Sequence, residues 1–231
     1  MKYRHLFFDL DHTLWDFNAN ARLTLADLYH ELELEKNGVH DFELFYSSYL
    51  VQNEKLWARY RGGFIKAEEL RWKRMWHTLL EFKIGDEKLA KRLGYRFLEL
   101  LPNRNLLFPD TINTLAFLKD KGYQLHLITN GFEATQHHKL KSSRIDHFFQ
   151  EVITSEGSNS IKPKKEIFDY ALRKANAIPS NSIMIGDSIE ADIQGAINAG
   201  IDQVFVNHTH EVCAISPTYM VYSLAELKTI F

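Results

Sequence analysis

From residue 123 onward the chain alternates two textures, and that alternation limits its fold more than any other feature. Short apolar runs, "YQLHLIT" (123–129), "EVIT" (151–154), "SIMIGD" (182–187) and "QVFVN" (203–207), are separated by "FEATQHHKLKSS" (132–143), "KKEIFDYALRKAN" (164–176) and "IEADIQGAINAG" (189–200). The runs have strand length, and the segments between them carry helical spacing. Apolar strands alternating with helices predict a parallel sheet covered by helices on both faces. Pro109 and Asp110 open a further helix over 111–121 with Gly122 as its stop, and "YMVYS" (219–223) reads as a last edge strand before a terminal helix.

One more strand, Leu6 to Leu10, lies far upstream. Between it and the rest, residues 18–101 read as helix after helix, with apolar residues three and four apart, as in Leu23, Leu25, Leu28 and Leu32, then Leu70, Met75 and Leu79. Breaks fall at "KNGVHD" (36–41), "RGG" (61–63) and "KIGDE" (83–87). The prediction is an α/β chain: a Rossmann-like core formed by 1–16 and 104–231, and an inserted α-helical cap domain over 17–103. An insert after the first strand falls at the carboxyl edge of the sheet, where open α/β sheets bind ligands.

Several function classes drop out on composition. With 28 basic and 30 acidic residues the net charge is -2, so nothing calls for a nucleic acid or an anionic membrane. Cys213 is the one cysteine, which excludes an intrachain disulfide and a four-cysteine zinc site, and fits a reducing, cytoplasmic setting. The N-terminal apolar stretch is too short for a signal peptide and runs into Asp9 and Asp11. No segment approaches the ~20 apolar residues that cross a bilayer. Monomer and dimer both remain open.

Asp9 and Asp11 stand at the exit of a strand expected to be buried, where isolated charges cost several kcal/mol unless offset. Three other groups fall at strand exits: Thr129-Asn130-Gly131, Lys162 just before a helix, and Gly186-Asp187 with Asp192 one turn further on. In a parallel sheet these exits share one edge, so the groups converge. Asp9 and Asp187 can then share a hard divalent cation such as Mg²⁺. A phosphate would sit between that ion, Lys162, the Thr129 hydroxyl and nearby backbone N–H groups, with Gly131 permitting a tight turn. Each piece alone has an ordinary reading. Asp-x-Asp is commonly an Asx turn, "TNG" a turn, "KP" a helix start and Asp192 a solvated helix residue. Their order, and their placement at strand ends, favour a site.

With those motifs in place, the chain resembles the haloacid dehalogenase superfamily of hydrolases, and its phosphatases in particular. The match runs through Asp9, Asp11 and Thr13, then Thr129 with its "TNG" continuation, then Lys162, then Gly186, Asp187 and Asp192. The resemblance implies that Asp9 is the nucleophile of an aspartyl-phosphate mechanism. It implies that Asp11 protonates the leaving oxygen and then activates water, its backbone carbonyl joining Asp9 and Asp187 around Mg²⁺. Lys162, Thr129, Asn130 and Gly131 would handle the phosphate, with Asp192 and Thr13 standing behind them. The acid at Asp11 favours a phosphatase over a dehalogenase. A sugar-phosphate phosphatase or phosphomutase, and a non-enzymatic phospho-acceptor domain, remain as alternatives.

"WARYRGGFIKAEELRWKRMW" (57–76), with "DLDHTLWDF" and "TNGF", resembles the nucleotide 5′-monophosphatases of the superfamily, which include pyrimidine nucleotidases. In that stretch Arg71 and Arg74 share a helix face, and the balance favours solvated arginines over substrate contacts. Lys66 reads as a solvated helix lysine rather than a Schiff-base former. Phe132 or Trp15 is a candidate for stacking on a base, with packing as the ordinary alternative.

Overall fold

A computed structural model describes residues 2–231. It divides into two compact units, one formed by residues 2–17 and 105–231 and one by Asn18–Arg104.

The first unit is a sheet of six parallel strands: β1 (His5–Phe8), β2 (Gln124–Thr129), β3 (Glu151–Thr154), β4 (Ser182–Gly186), β5 (Asp202–Val206) and β6 (Tyr219–Val221), in the spatial order β3-β2-β1-β4-β5-β6. Every residue of β1 and β4 is buried, as a strand covered on both faces requires. Phe7, Ile128, Ile153, Ile167, Phe168 and Met184 belong to one of its apolar clusters. Register decides where the site falls. Phe8 pairs with Leu127 on one side and Ile185 on the other, so β1, β2 and β4 run out together at Asp9, Thr129 and Asp187.

In the second unit four helices follow one another, α1 (Phe17–Glu31), α2 (Phe42–Arg61), α3 (Ala67–Glu81) and α4 (Glu87–Leu100). Asp41 caps α2 by accepting from the N–H groups of Glu43 and Leu44, and Asp86 caps α4 by accepting from Leu89. Leu25, Leu28, Leu32, Leu70, Met75 and Leu79 are buried, whereas Leu23, expected on the same face, is 42% exposed. Arg74 also departs from expectation. It is not solvated but buried, donating to Asn53 Oδ1 at 2.9 Å and Leu70 O at 3.1 Å, with Phe97's ring 5.6 Å away. Helical spacing places Arg71 and Arg74 on one face, and burial separates them, because Arg71 stays partly exposed beside Glu68.

The core unit continues with α5 (Thr111–Asp120), α6 (Glu133–Ser142), α7 (Ser155–Ser158), α8 (Lys165–Lys174), α9 (Gly195–Asn198) and α10 (Leu227–Ile230). The segment 189–200, expected as one α-helix, instead begins as a π-helix over Ile189–Gln194 before α9. Wider π turns are rare and concentrate at functional sites. Here the turn carries Asp192, whose carboxylate accepts the N–H of Ser188. The one-turn α7 was not legible as a helix, since "SEGS" is too short to show a period; Thr154 caps it by accepting from Gly157.

Gly94, inside α4, shows what holds α3 and α4 together. A Cβ there would lie 2.8 Å from the Trp72 Cα and 3.0 Å from the Arg71 carbonyl oxygen. Alanine is the better helix former by about 1 kcal/mol, yet it overfills this contact. Gly94→Ala is therefore expected to lower stability by about 1–3 kcal/mol, measured by urea unfolding. A gain in stability would show that the two backbones are free to move apart.

Candidate active site

The core unit buries an ammonium. Lys162, 2% exposed, donates to Asp9 Oδ1 at 2.5 Å, Asp192 Oδ1 at 2.6 Å and the Ile128 carbonyl at 2.8 Å. An ammonium has three donors, and each finds an oxygen. Burial works against its charge, but Asp192 and Asp9 more than offset that and raise its pKa. Its backbone is fixed as well: Asn130 Oδ1 accepts the Lys162 N–H at 2.8 Å, and Asn130 Nδ2 donates to the Lys162 carbonyl at 3.0 Å. The Asn130 side chain is thus committed to this loop. Both ends of its amide serve Lys162.

Asp9, Asp187 and Asp192 each offer an oxygen within 4.8 Å of one another. Desolvation, with Asp192 adding to it and Lys162 opposing, pushes Asp9 up to about 7. Desolvation and the charges of Asp9 and Asp192 raise Asp187 well above the ordinary carboxylate range. Asp187 Oδ1 accepts the Thr13 hydroxyl at 2.7 Å. The donor set is entirely hard carboxylate oxygen and carries surplus negative charge, which fits Mg²⁺. Asp192 is the poorest ligand of the three. One of its oxygens holds Lys162 and the other takes the Ser188 N–H. Asp9 and Asp187 each engage a single oxygen in the bonds above.

Thr129 is buried at the end of β2, and its hydroxyl oxygen accepts the Gly131 N–H at 3.1 Å. That leaves the hydroxyl hydrogen to give. Gly131 makes room beside the turn, since a Cβ there would displace the Gln136 amide that Asp11 engages. Gly186 is constrained in the same way by the Asp192 carboxylate.

Asp11 lies in the turn after β1, where His12 adopts φ 67 and its N–H closes onto Trp15 O at 2.9 Å. Its carboxylate meets two residues that sequence reasoning missed. Gln136 Nε2 donates to Oδ2 at 2.8 Å and Lys139 Nζ to Oδ1 at 2.6 Å. Burial alone would raise Asp11, but Lys139 and Gln136 outweigh it and lower its pKa. The only sequence signal was their spacing, since residues three apart share a face of α6. Trp15 and Phe132 are both buried, and Trp15 packs against Phe17 and the Lys139 ammonium.

A parallel sheet with Asp9, Thr129 and Asp187 at its strand ends, and Lys162 bonded to both Asp9 and Asp192, offers a site for a hard cation beside a fixed ammonium. The family model for haloacid dehalogenase-like hydrolases matches residues 3–200, and the chain belongs to that family. It is a phosphatase of the superfamily. Pyrimidine 5′-nucleotidase PynA of Streptococcus pneumoniae is 33% identical over 98% of this chain and 94% of its own length. Glyceraldehyde 3-phosphate phosphatase of Methanothermobacter thermautotrophicus is 34% identical over 87% of this chain and 84% of its own. The crystal structure of YfnB from Bacillus subtilis, bound to magnesium, superposes with a TM-score of 0.89 at 29% identity, covering 100% of this chain and 99% of that one. Among the described residues no helix is long and apolar enough to cross a membrane.

The like charges at the site predict a stability cost. In chelated protein at pH 8, Asp187→Asn is expected to raise Tm by about 3–6 °C, from about 1–2 kcal/mol of relieved repulsion. The gain should shrink as pH falls. Asp9 is raised to about 7 and Asp187 is raised too, so the folded wild type binds protons that the unfolded chain does not. That contribution is complete below about 4 and is lost as pH rises through about 7. A lower Tm for the variant at pH 8 would contradict this.

Proposed function

We propose that the chain is a Mg²⁺-dependent phosphomonoesterase that works through an aspartyl-phosphate on Asp9 and acts on nucleoside 5′-monophosphates. The observation that carries the chemistry is the Lys162 ammonium seated on the Asp9 carboxylate: it is a fixed positive charge beside the attacking oxygen. The full-length similarity to pyrimidine 5′-nucleotidase PynA supports the substrate class.

In this reading an Asp9 oxygen attacks phosphorus and the bond to the ester oxygen breaks. The departing oxygen takes a proton from Asp11, whose carboxyl carries one at the start of each cycle although Lys139 and Gln136 favour its ionised form. A water then gives its proton to Asp11 as its oxygen attacks the phosphorus, and the bond to Asp9 breaks to release phosphate. Lys162 and the hydrogen of the Thr129 hydroxyl hold the equatorial oxygens, and Asp192 and Asn130 keep Lys162 in place. Asp9, Asp187 and the Asp11 carbonyl would hold Mg²⁺, which when bound neutralises phosphoryl charge. Positioning and charge neutralisation are most of what phosphoryl transfer needs.

A sugar-phosphate phosphatase is the second reading, supported by the similarity to glyceraldehyde 3-phosphate phosphatase. Phosphate release from uridine and cytidine 5′-monophosphates, purine nucleotides, triose phosphates and glycerol phosphate separates the two. Nucleotides are expected to be turned over faster, chelator to stop the reaction, and Asp9→Asn to abolish it. Equal rates on nucleotides and glycerol phosphate would overturn the substrate assignment, and robust turnover by Asp9→Asn would overturn the nucleophile.

A further inference from the structure

Lys139 is charged, 2% exposed and far from Asp11 in sequence, yet its ammonium sits 2.6 Å from Asp11 Oδ1. Gln136 holds the other oxygen at 2.8 Å. The ammonium lies 4.2 Å from the centre of the Trp15 ring and 5.6 Å from that of Phe17. Rings of the Asp11 segment thus form part of its seat, and cation–π attraction partly offsets the loss of hydration. One helix face presents both donors, and the missing Cβ at Gly131 makes the room Gln136 occupies. Burying a lysine is costly unless it is paired. Lys139 is paired with Asp11, and the second donor to that carboxylate, Gln136, comes from the same helix.

We propose that Lys139 and Gln136 are positioning residues for Asp11, and that α6 thereby sets the direction from which a proton reaches the departing oxygen. A carboxylate has about four lone-pair sites, and the two donors take two of them. The orientation of Asp11 is fixed while capacity remains on each oxygen, and its side chain keeps 23% of its exposure, whereas Lys139 is sealed. Lys139 therefore acts through Asp11 and not on solvent. The inference rests on the proposed role of Asp11 as acid and base.

Leaving-group dependence tests it. A nucleoside monophosphate releases a poor leaving group that needs a proton, and p-nitrophenyl phosphate releases one that does not. Lys139→Met is expected to lower kcat on the nucleotide by about 30-fold or more, with KM changed less than about 2-fold and p-nitrophenyl phosphate affected far less. Gln136→Leu should show the same pattern more weakly, and Lys139→Arg should restore most of the nucleotide rate. Lys139→Met added to Asp11→Asn should cost nothing further on the nucleotide. Equal losses on both substrates, a raised KM on both, or additivity with Asp11→Asn would overturn the inference. If Lys139→Met does not fold, Gln136→Leu and Lys139→Arg carry the same comparison. Asp11→Asn is the control for the underlying reading: if it slows both substrates alike, the role of Asp11 fails, whereas discrimination by Asp11→Asn without discrimination by the α6 variants defeats only the positioning role.

Discussion

The core unit is organised around one buried positive charge. An ammonium removed from water costs several kcal/mol unless its partners are in place, and the partners of Lys162 come from three separate parts of the chain. Asp9 follows β1, the Ile128 carbonyl belongs to β2, and Asp192 rides on the π-helix after β4. The network therefore joins strand ends that are distant in sequence. It also fixes the charge balance. Asp9, Asp187 and Asp192 face one lysine, so the fully ionised cluster carries an excess of two negative charges. Burial, joined by that like charge, raises the pKa values of Asp9 and Asp187. A dication is the counter-charge that such a cluster suits.

Close approach by polar side chains is the second organising theme. At Gly131 the absent Cβ admits Gln136, and at Gly186 it admits Asp192. Both glycines sit beside residues of the site, and each makes room for a side chain that holds another residue in position. The same device serves packing alone in the helical unit, where Gly94 lets α4 rest on the backbone of α3. The π-helix belongs to this theme too, since its wider turn carries the Asp192 carboxylate that both Lys162 and the Ser188 N–H engage.

The parts of this arrangement that were legible in the sequence were those with a local signature. Apolar runs ending in Asp9, Thr129 and Asp187 announce strands whose exits carry polar groups, because burial forces the run and the end of the sheet releases it. The contribution of α6 was not legible. Gln136 and Lys139 sit in "TQHHKL", a polar stretch with no apolar stripe to mark an inward face, and only the three-dimensional fold brings them to Asp11. The side-chain bonds of Asn130 to the Lys162 backbone were not legible either, because they are contacts across 32 positions. Arg74 was hidden for another reason. Charge patterning assigns arginines to water, whereas the Asn53 side-chain oxygen, the Leu70 carbonyl and the Phe97 ring hold this buried guanidinium, with its Nη2 left unbonded among the described residues.

Which carboxylates own the counter-charge is the most direct question to put to this account. Calorimetric titration of Mg²⁺ into Asp192→Asn and Asp187→Asn answers it, because the two residues stand side by side but spend their oxygens differently. The account predicts that Asp192→Asn still binds one ion within about tenfold of the wild-type affinity, since its oxygens serve Lys162 and Ser188, while Asp187→Asn loses binding. Loss of the ion in Asp192→Asn with tight binding retained by Asp187→Asn would contradict it.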